Sequence, residues 1–131
     1  MTTPGRERVL LDTSVLIGPD ADFSGLVCQI SSVSYAELHY GVQAARDPDT
    51  RDARQRRLTL IQATFGHGIA FTDVIAHHYG MLCARLRAQG RSPRGRALGL
   101  MIAATAAALE VPLVTRNPAE VGDIGIALMQ R

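Results

Sequence analysis

The sequence of 131 residues contains no lysine and only two cysteines. The absence of lysine argues against P-loop nucleotide hydrolases, phosphoaspartyl receivers and haloacid-dehalogenase-type phosphatases, because each of these classes uses a lysine. Cys28 and Cys83 stand apart without CxxC spacing, so we expect free thiols in a reducing cytoplasm. No apolar run approaches the ~20 residues of a membrane helix, and Met1–Arg8 lacks the apolar stretch of a signal peptide. We therefore expect neither a membrane protein nor a secreted, disulfide-stabilised one.

The composition is that of a folded chain with one core. Hydrophobic residues make up 47% and charged residues 20%, which argues against disorder. A chain of this length corresponds to about one domain, so we expect a single domain over residues 1–131. All fourteen cationic residues are arginines, yet the formal net charge is only +2. The arginine bias fits the codon usage of a GC-rich genome, and the alternative is phosphate recognition by guanidinium groups.

Apolar runs typical of strands alternate with helical patterns, which indicates an α/β fold with a parallel sheet covered on both faces. The predicted strands are Val9–Leu11, Leu26–Ile30, Gly66–Phe71, Leu113–Thr115 and Gly125–Met129. The predicted helices are Val15–Ile17, Tyr35–Ala45, Arg51–Phe65, Asp73–Gln89 and Arg96–Glu110.

Local signals predict where two of these helices begin. Thr13 and Ser14 offer capping hydroxyls to the first helix. Ser34 and Glu37 fit the S-x-x-E capping box, so we expect Ser34 to open the second helix. Residues 46–50 form a polar joint before the third helix.

Acidic residues follow the predicted strands at the edge where open α/β sheets bind ligands. Asp12 follows the first strand, Glu37 lies a few residues past the second, and Glu120 follows the strand that ends at Thr115. Carboxylates that converge there repel one another unless a divalent cation or a basic partner neutralises them, and such a cluster suits Mg²⁺ or Mn²⁺. The alternative is structural: Asp12 caps the next helix, and Glu37 is only a capping-box partner.

Three parts of the sequence together resemble a known family. They are LLDTSVLI at Leu10–Ile17, SYAELHYG at Ser34–Gly41, and LMIAATA at Leu100–Ala106 followed by LVTRN at Leu113–Asn117. In this order and spacing, over nearly the whole chain, the sequence resembles the PIN-domain ribonuclease toxins of the VapC type, from bacterial type II toxin–antitoxin modules. The resemblance implies a PIN-like three-layer α/β/α domain with a parallel central sheet.

The same resemblance implies a Mg²⁺- or Mn²⁺-dependent endoribonuclease that cleaves structured RNA in the cytoplasm. It also implies a cognate antitoxin that inhibits the enzyme, contact with operator DNA only through that antitoxin, and a homodimer. Asp12 and Glu37 match metal-binding, catalytic acids of the family, and Glu120 stands where the family usually has Asp. Four further residues are expected to line the site: Thr13, Ser14, Thr115 and Asn117.

Gly99 occupies the position at which the family carries another metal-binding Asp, immediately before Leu100–Ala106. Nothing in the local sequence requires glycine, which costs about 1 kcal/mol relative to alanine inside a helix. One interpretation is that a small residue eases helix packing, and the other is that an Asp was replaced, naturally or deliberately. We therefore expect impaired ribonuclease activity. The alternative function is a catalytically inactive PIN domain that acts by antitoxin binding and autoregulation.

The histidines and a cluster of arginines have simpler interpretations. His77 and His78 are adjacent and about 100° apart on a helix, so they cannot chelate one metal as an i,i+4 pair does. His39 is near Glu37 in sequence, but contact with the site is the less favoured interpretation. Five arginines surround the loop before Gly99, where a solvated basic face is the default and an RNA backbone track is the alternative. They are Arg85, Arg87, Arg91, Arg94 and Arg96.

Overall fold

The central sheet has four parallel strands in the order β2-β1-β3-β4. The computed structural model describes residues 6–18, 22–122 and 124–130. The strands are β1 (Glu7–Leu11), β2 (Leu26–Ile30), β3 (Leu113–Thr115) and β4 (Leu128–Gln130). The helices are α1 (Thr13–Ile17), α2 (Ser32–Gln43), α3 (Pro48–Phe65), α4 (Asp73–Ala88), α5 (Ala97–Leu109) and α6 (Pro118–Val121).

The core lies on both faces of the sheet, because successive side chains of β1 point to opposite sides. Leu10 is fully buried in a cluster with residues of α4 and α5, such as Leu86 and Leu100. Val9 and Leu11 are fully buried in a second cluster on the other face, which includes Ile61 of α3. Each such large side chain contributes about 1.5–3 kcal/mol when it leaves water. The predicted three-layer α/β/α architecture with a parallel sheet is confirmed.

The second helix begins earlier than predicted. Ser31, the first residue after β2, is the N-cap, and its Oγ accepts a hydrogen bond from the Val33 amide at 3.0 Å. Ser34 lies inside α2 and is fully buried, with its Oγ 2.8 Å from Thr13 Oγ1. The capping box was therefore the wrong interpretation, because a serine directly at the strand end satisfies the free amides first.

One predicted strand and the bounds of two other elements are also wrong. Residues 66–71 form no strand, and only Ile69 makes an isolated bridge, to Ser31. The third helix starts at Pro48 because Asp47 accepts the Thr50 amide at 2.8 Å and proline is favoured in a first turn. The last strand is β4 rather than 125–129, since Gly125 has φ +87° and cannot continue an extended chain.

The remaining predicted elements lie within two residues of their predicted bounds, and the short helix α6 was not predicted. β2 and β3 coincide with them, α4 begins after the Thr72 cap, and α5 begins at Ala97. Cys28 and Cys83 are both partly exposed and are not joined by a disulfide. In the part of the chain that the structure describes, no helix is both long and apolar enough to cross a bilayer.

Candidate functional site

A cavity of about 770 Å³ opens beyond the carboxyl ends of β1 and β3. Asp12, Glu37, Glu120 and Gly99 all line it, and we call it the acid cavity. Elements far apart in sequence therefore bring the four predicted metal-ligand positions to one place. Other predicted residues share the lining: Thr13, Ser14, Asn117, Arg94 and Arg96.

Asp12 is held by two hydroxyl groups. Ser14 Oγ and Thr115 Oγ1 donate to Asp12 Oδ2 at 2.8 and 2.9 Å. Ser14 Oγ accepts the Arg116 amide at 3.1 Å, and Thr115 Oγ1 accepts the Asn117 amide at 3.0 Å. Because each hydroxyl accepts a backbone N–H, its own proton is directed to the carboxylate. Thr115 thus supports the site through Asp12, since it is buried and does not line the cavity itself.

The capping alternative for Asp12 is not supported. Asp12 occupies the N-cap position of α1, but its side chain makes no capping hydrogen bond. The predicted capping hydroxyls of Thr13 and Ser14 also lie within α1 and bond to site residues instead. Among the described residues, Asp12 Oδ1 makes no hydrogen bond, so one carboxylate oxygen is free to bind a ligand.

Glu37 is half-buried and is oriented by a chain of two hydroxyls. Thr13 Oγ1 donates to Glu37 Oε1 at 2.9 Å, so the 2.8 Å contact between Thr13 and Ser34 has Ser34 as donor. Burial raises the pKa of Glu37, the Thr13 hydrogen bond lowers it, and the charge of Asp12 raises it again. Sequence reasoning missed Ser34 as a supporting residue. Its signal was the spacing of three from Glu37, which places both on one face of α2.

Glu120 lies on the short helix α6, which two arginines hold. Arg91 and Arg96 donate to the Glu120 carbonyl at 3.1 and 3.2 Å. Arg91 also donates to the carbonyls of Ala119 at 3.3 Å and Gly122 at 3.4 Å. These carbonyls lack helical partners, as expected at a helix C-terminus. Two arginines of the predicted RNA track therefore fix the position of a cavity acid.

The predicted arginine track is divided by the fold. Arg85 donates to the carbonyl of Ile124 at 2.9 Å and does not line the acid cavity. Arg94 and Arg96 line the acid cavity, whereas Arg87 lines a neighbouring one together with Arg91 and Arg94. Four of the five are exposed, as a solvated basic face requires, but they do not all line one cavity.

Gly99 is the third residue of α5, and its backbone does not require glycine. The backbone angle φ of Gly99 is not positive, and a Cβ built on this residue meets no atom within 4 Å. The packing interpretation of this glycine is therefore unsupported. An aspartate here would project from the first turn of a helix, where a negative charge is favoured by the helix dipole.

The carboxylates present fit only part of a hard-cation site. Oxygen donors at Asp12, Glu37 and Glu120 have the chemistry that Mg²⁺ and Mn²⁺ prefer. In the described ranges, however, no group of three or more His, Cys, Asp or Glu side chains is placed to hold a metal ion. Position 99 lines the same cavity.

The histidines lie outside this site. His39 lines a separate cavity with Tyr35 and His67. The rings of His77 and His78 stand edge to face with centroids 6.0 Å apart. The simpler interpretations of these residues agree with the structure.

Neither a family model nor a curated protein matches the sequence. Solved structures do match in fold and length. A chain of the VapBC-5 toxin–antitoxin structure from Mycobacterium tuberculosis is 28% identical, with TM-score 0.75, covering 97% of this chain and 98% of that one. A chain of VapBC2 from Rickettsia felis, bound to a promoter DNA fragment, is 25% identical with TM-score 0.78, covering 95% and 98%. These neighbours confirm the resemblance to VapC-type PIN-domain toxins.

A more distant neighbour shows the fold alone. A chain of FitAcB from Neisseria gonorrhoeae is 23% identical with TM-score 0.75, covering 92% of this chain and 96% of that one. The mixed α/β fold with a parallel four-stranded sheet matches the PIN-like fold of the VapC neighbours.

Proposed function

We propose that this chain, which shares its fold with proteins of VapBC structures, is the toxin component of a type II toxin–antitoxin system. Its lineage is that of Mg²⁺-dependent endoribonucleases that cleave structured RNA, with activity impaired in this chain by Gly99. One observation carries the proposal: Asp12, Glu37, Glu120 and position 99 line one cavity at the carboxyl edge of a parallel sheet. Open space at Gly99 supports the loss of a side chain from that cavity.

The chain's own residues prepare the acid cavity for a cation and a phosphodiester. Asp12 and Glu37 would hold the metal, and Glu120 lines the same cavity. A bound Mg²⁺ or Mn²⁺ would supply an activated water and stabilise charge on the phosphate. Ser14 and Thr115 fix Asp12 through hydrogen bonds. Arg94 and Arg96 add positive charge to a cavity that must admit a polyanion.

The partners follow from the same proposal. A cognate antitoxin would present a basic side chain, most suitably Arg, to Asp12 and Glu37, because bidentate pairing replaces the metal charge and blocks RNA entry. Contact with operator DNA would occur only through the antitoxin. The protein would act in the cytoplasm as a homodimer of single-domain chains. A complex structure with no basic antitoxin residue near Asp12 and Glu37 would contradict this inhibition mechanism.

The test is cleavage of total RNA by purified Gly99→Asp and by the unmodified chain, each with and without EDTA. We expect EDTA-sensitive cleavage and growth arrest on induction only for Gly99→Asp. Gly99→Ala and Gly99→Asn are matched controls, because both fill the same open space without a carboxylate. If the unmodified chain cuts RNA in an EDTA-sensitive way as fast as Gly99→Asp, position 99 is not a ligand position.

The second candidate function is an inactive PIN domain that sequesters its antitoxin and contributes to autoregulation. Gly99 and the absence of a three-residue metal group among the described residues favour it for this chain. It predicts tight antitoxin binding and no RNA cleavage by the unmodified chain. Cleavage by Gly99→Asp would instead support the ribonuclease lineage.

A further inference from the structure

Six arginines of this protein donate hydrogen bonds to its own backbone. Arg51, Arg54 and Arg57 of α3 donate to the carbonyls of Ala45, Gly41 and Leu16, near the ends of α2 and α1. Arg85, Arg91 and Arg96 do the same for the segment 119–124. These guanidinium groups therefore have a structural use, and arginine content alone does not indicate phosphate recognition.

Arg87 and Arg94 differ from those arginines. Within residues 6–18, 22–122 and 124–130, their guanidinium groups make no hydrogen bond and no ion pair. Both are exposed, and both line one cavity of about 510 Å³ that we call the arginine cavity. Its lining consists of Arg87, Gly90, Arg91, Ser92, Pro93 and Arg94, so no carboxylate faces these cations.

The arginine cavity adjoins the acid cavity, because Arg94 lines both. Gly90, which has φ +76°, turns the chain after α4 and leaves no side chain between Arg87 and the loop. The helix dipole explains a cation at Arg87 in the last turn of α4, but it does not explain Arg94 beyond that helix. An anion that binds between neighbouring cations offsets their mutual repulsion. The two N–H groups of a guanidinium match the oxygens of a phosphate.

We infer that Arg87 and Arg94 form a phosphate subsite for a single-stranded stretch of a structured RNA substrate, whose backbone continues into the acid cavity. This inference rests on the proposed function, since it identifies where the substrate strand lies beside the acids. Arg91 also lines the subsite, while its guanidinium remains bound to carbonyls of Ala119, Glu120 and Gly122. Arg85 and Arg96 take no direct part, because their guanidinium groups donate to the protein backbone.

The experiment measures binding of a short fluorescein-labelled single-stranded RNA by anisotropy over a series of salt concentrations. The unmodified chain is compared with Arg87→Gln/Arg94→Gln and with the control Arg46→Gln/Arg56→Gln. The control removes the same charge from two exposed arginines that also lack hydrogen bonds within the described residues. Thermal midpoints verify that both double variants fold.

We expect the slope of log affinity against log salt to become shallower by about 1.4 in Arg87→Gln/Arg94→Gln, about 0.7 for each phosphate contact. The control should retain the slope of the unmodified chain. Equal changes in the two double variants, or none in either, would overturn the subsite. Equal loss of binding to a duplex DNA of the same length would overturn its assignment to single-stranded RNA.

This result is separable from the test of the proposed function. If Gly99→Asp cuts RNA while Arg87→Gln/Arg94→Gln binds RNA as the control does, the subsite is wrong and the ribonuclease proposal stands. If the slope changes as expected but Gly99→Asp does not cut RNA, the ribonuclease proposal fails and the binding site stands.

Discussion

Glu37 links the state of the acid cavity to pH. Burial raises its pKa above the ordinary value of 4.5, the Thr13 hydrogen bond opposes this, and Asp12 adds to it. The folded protein therefore holds this proton more tightly than the unfolded chain does. The corresponding stability is present below pH 4.5 and is lost as pH rises through the raised pKa.

We predict that Glu37→Gln raises the thermal midpoint near neutral pH and has little effect near about pH 4, where the native carboxyl is neutral as well. Thermal unfolding across this range, with the exposed Glu7→Gln as control, measures the effect. A Glu37→Gln variant that is less stable than the unmodified chain at neutral pH would contradict the sign. In Asp12→Asn the pKa of Glu37 should fall, because the neighbouring negative charge is removed. Carboxyl NMR shifts measure this pKa.

Two glycines should respond in opposite directions to alanine. A Cβ at Gly99 meets no atom within 4 Å, whereas a Cβ at Gly68 would lie 2.8 Å from the Ser32 amide nitrogen. We predict that Gly99→Ala raises the free energy of unfolding by about 0.5–1 kcal/mol through helix propensity. Gly68→Ala should lower it by about 1–3 kcal/mol through overpacking. Urea denaturation measures both, and equal signs would contradict the packing described for these positions.

The helices and strands differ in how strongly their own sequence specifies them. The apolar runs of β2 and β3 coincide with the observed strands, because a short buried strand needs little beyond its own side chains to be recognised. Residues 66–71 look similar but make only one bridge, at Ile69. Ile69 donates to the carbonyl of Ile30 and accepts from the amide of Ser32, so the segment adjoins the end of β2 at this one residue only.

The single turn α6 depends on partners outside itself. It has four residues, no side-chain cap and an exposed Glu120, and Arg91 binds three carbonyls at its end. We predict that Arg91→Gln speeds hydrogen exchange of the α6 amides and lowers the free energy of unfolding by about 1 kcal/mol. Arg87→Gln is the matched control, since that side chain makes no such bond in the described chain. Unchanged exchange in α6 would show that Arg91 does not hold it.

At the level of the complete chain, metal binding and folding are coupled. We predict that Mg²⁺ raises the thermal midpoint of Gly99→Asp, by the equivalent of about 2.7 kcal/mol at a hundredfold excess over Kd, and barely affects the unmodified chain. In EDTA, crowded carboxylates should make Gly99→Asp less stable near neutral pH.

Calorimetric titration with Mg²⁺ and differential scanning of both proteins measure this coupling. Adding Asp12→Asn to Gly99→Asp should abolish the Mg²⁺ effect, because the ion then loses a charged ligand. Micromolar Mg²⁺ affinity of the unmodified chain would contradict the interpretation of Gly99 as a lost ligand position.

Local pattern accounts for the strands β1, β2 and β3 and for Asp12, because a buried strand followed directly by an acid is visible in consecutive residues. The order of these segments also carries the resemblance to the PIN-domain toxins. The Thr13–Ser34–Glu37 hydrogen bonds join residues 21 and 24 positions apart, and they exist only because α1 packs near α2. Only the tertiary structure shows that Arg91 binds α6 and that Arg94 makes no such bond. Carbonyls without helical partners become available to an arginine only after a distant helix end is in place.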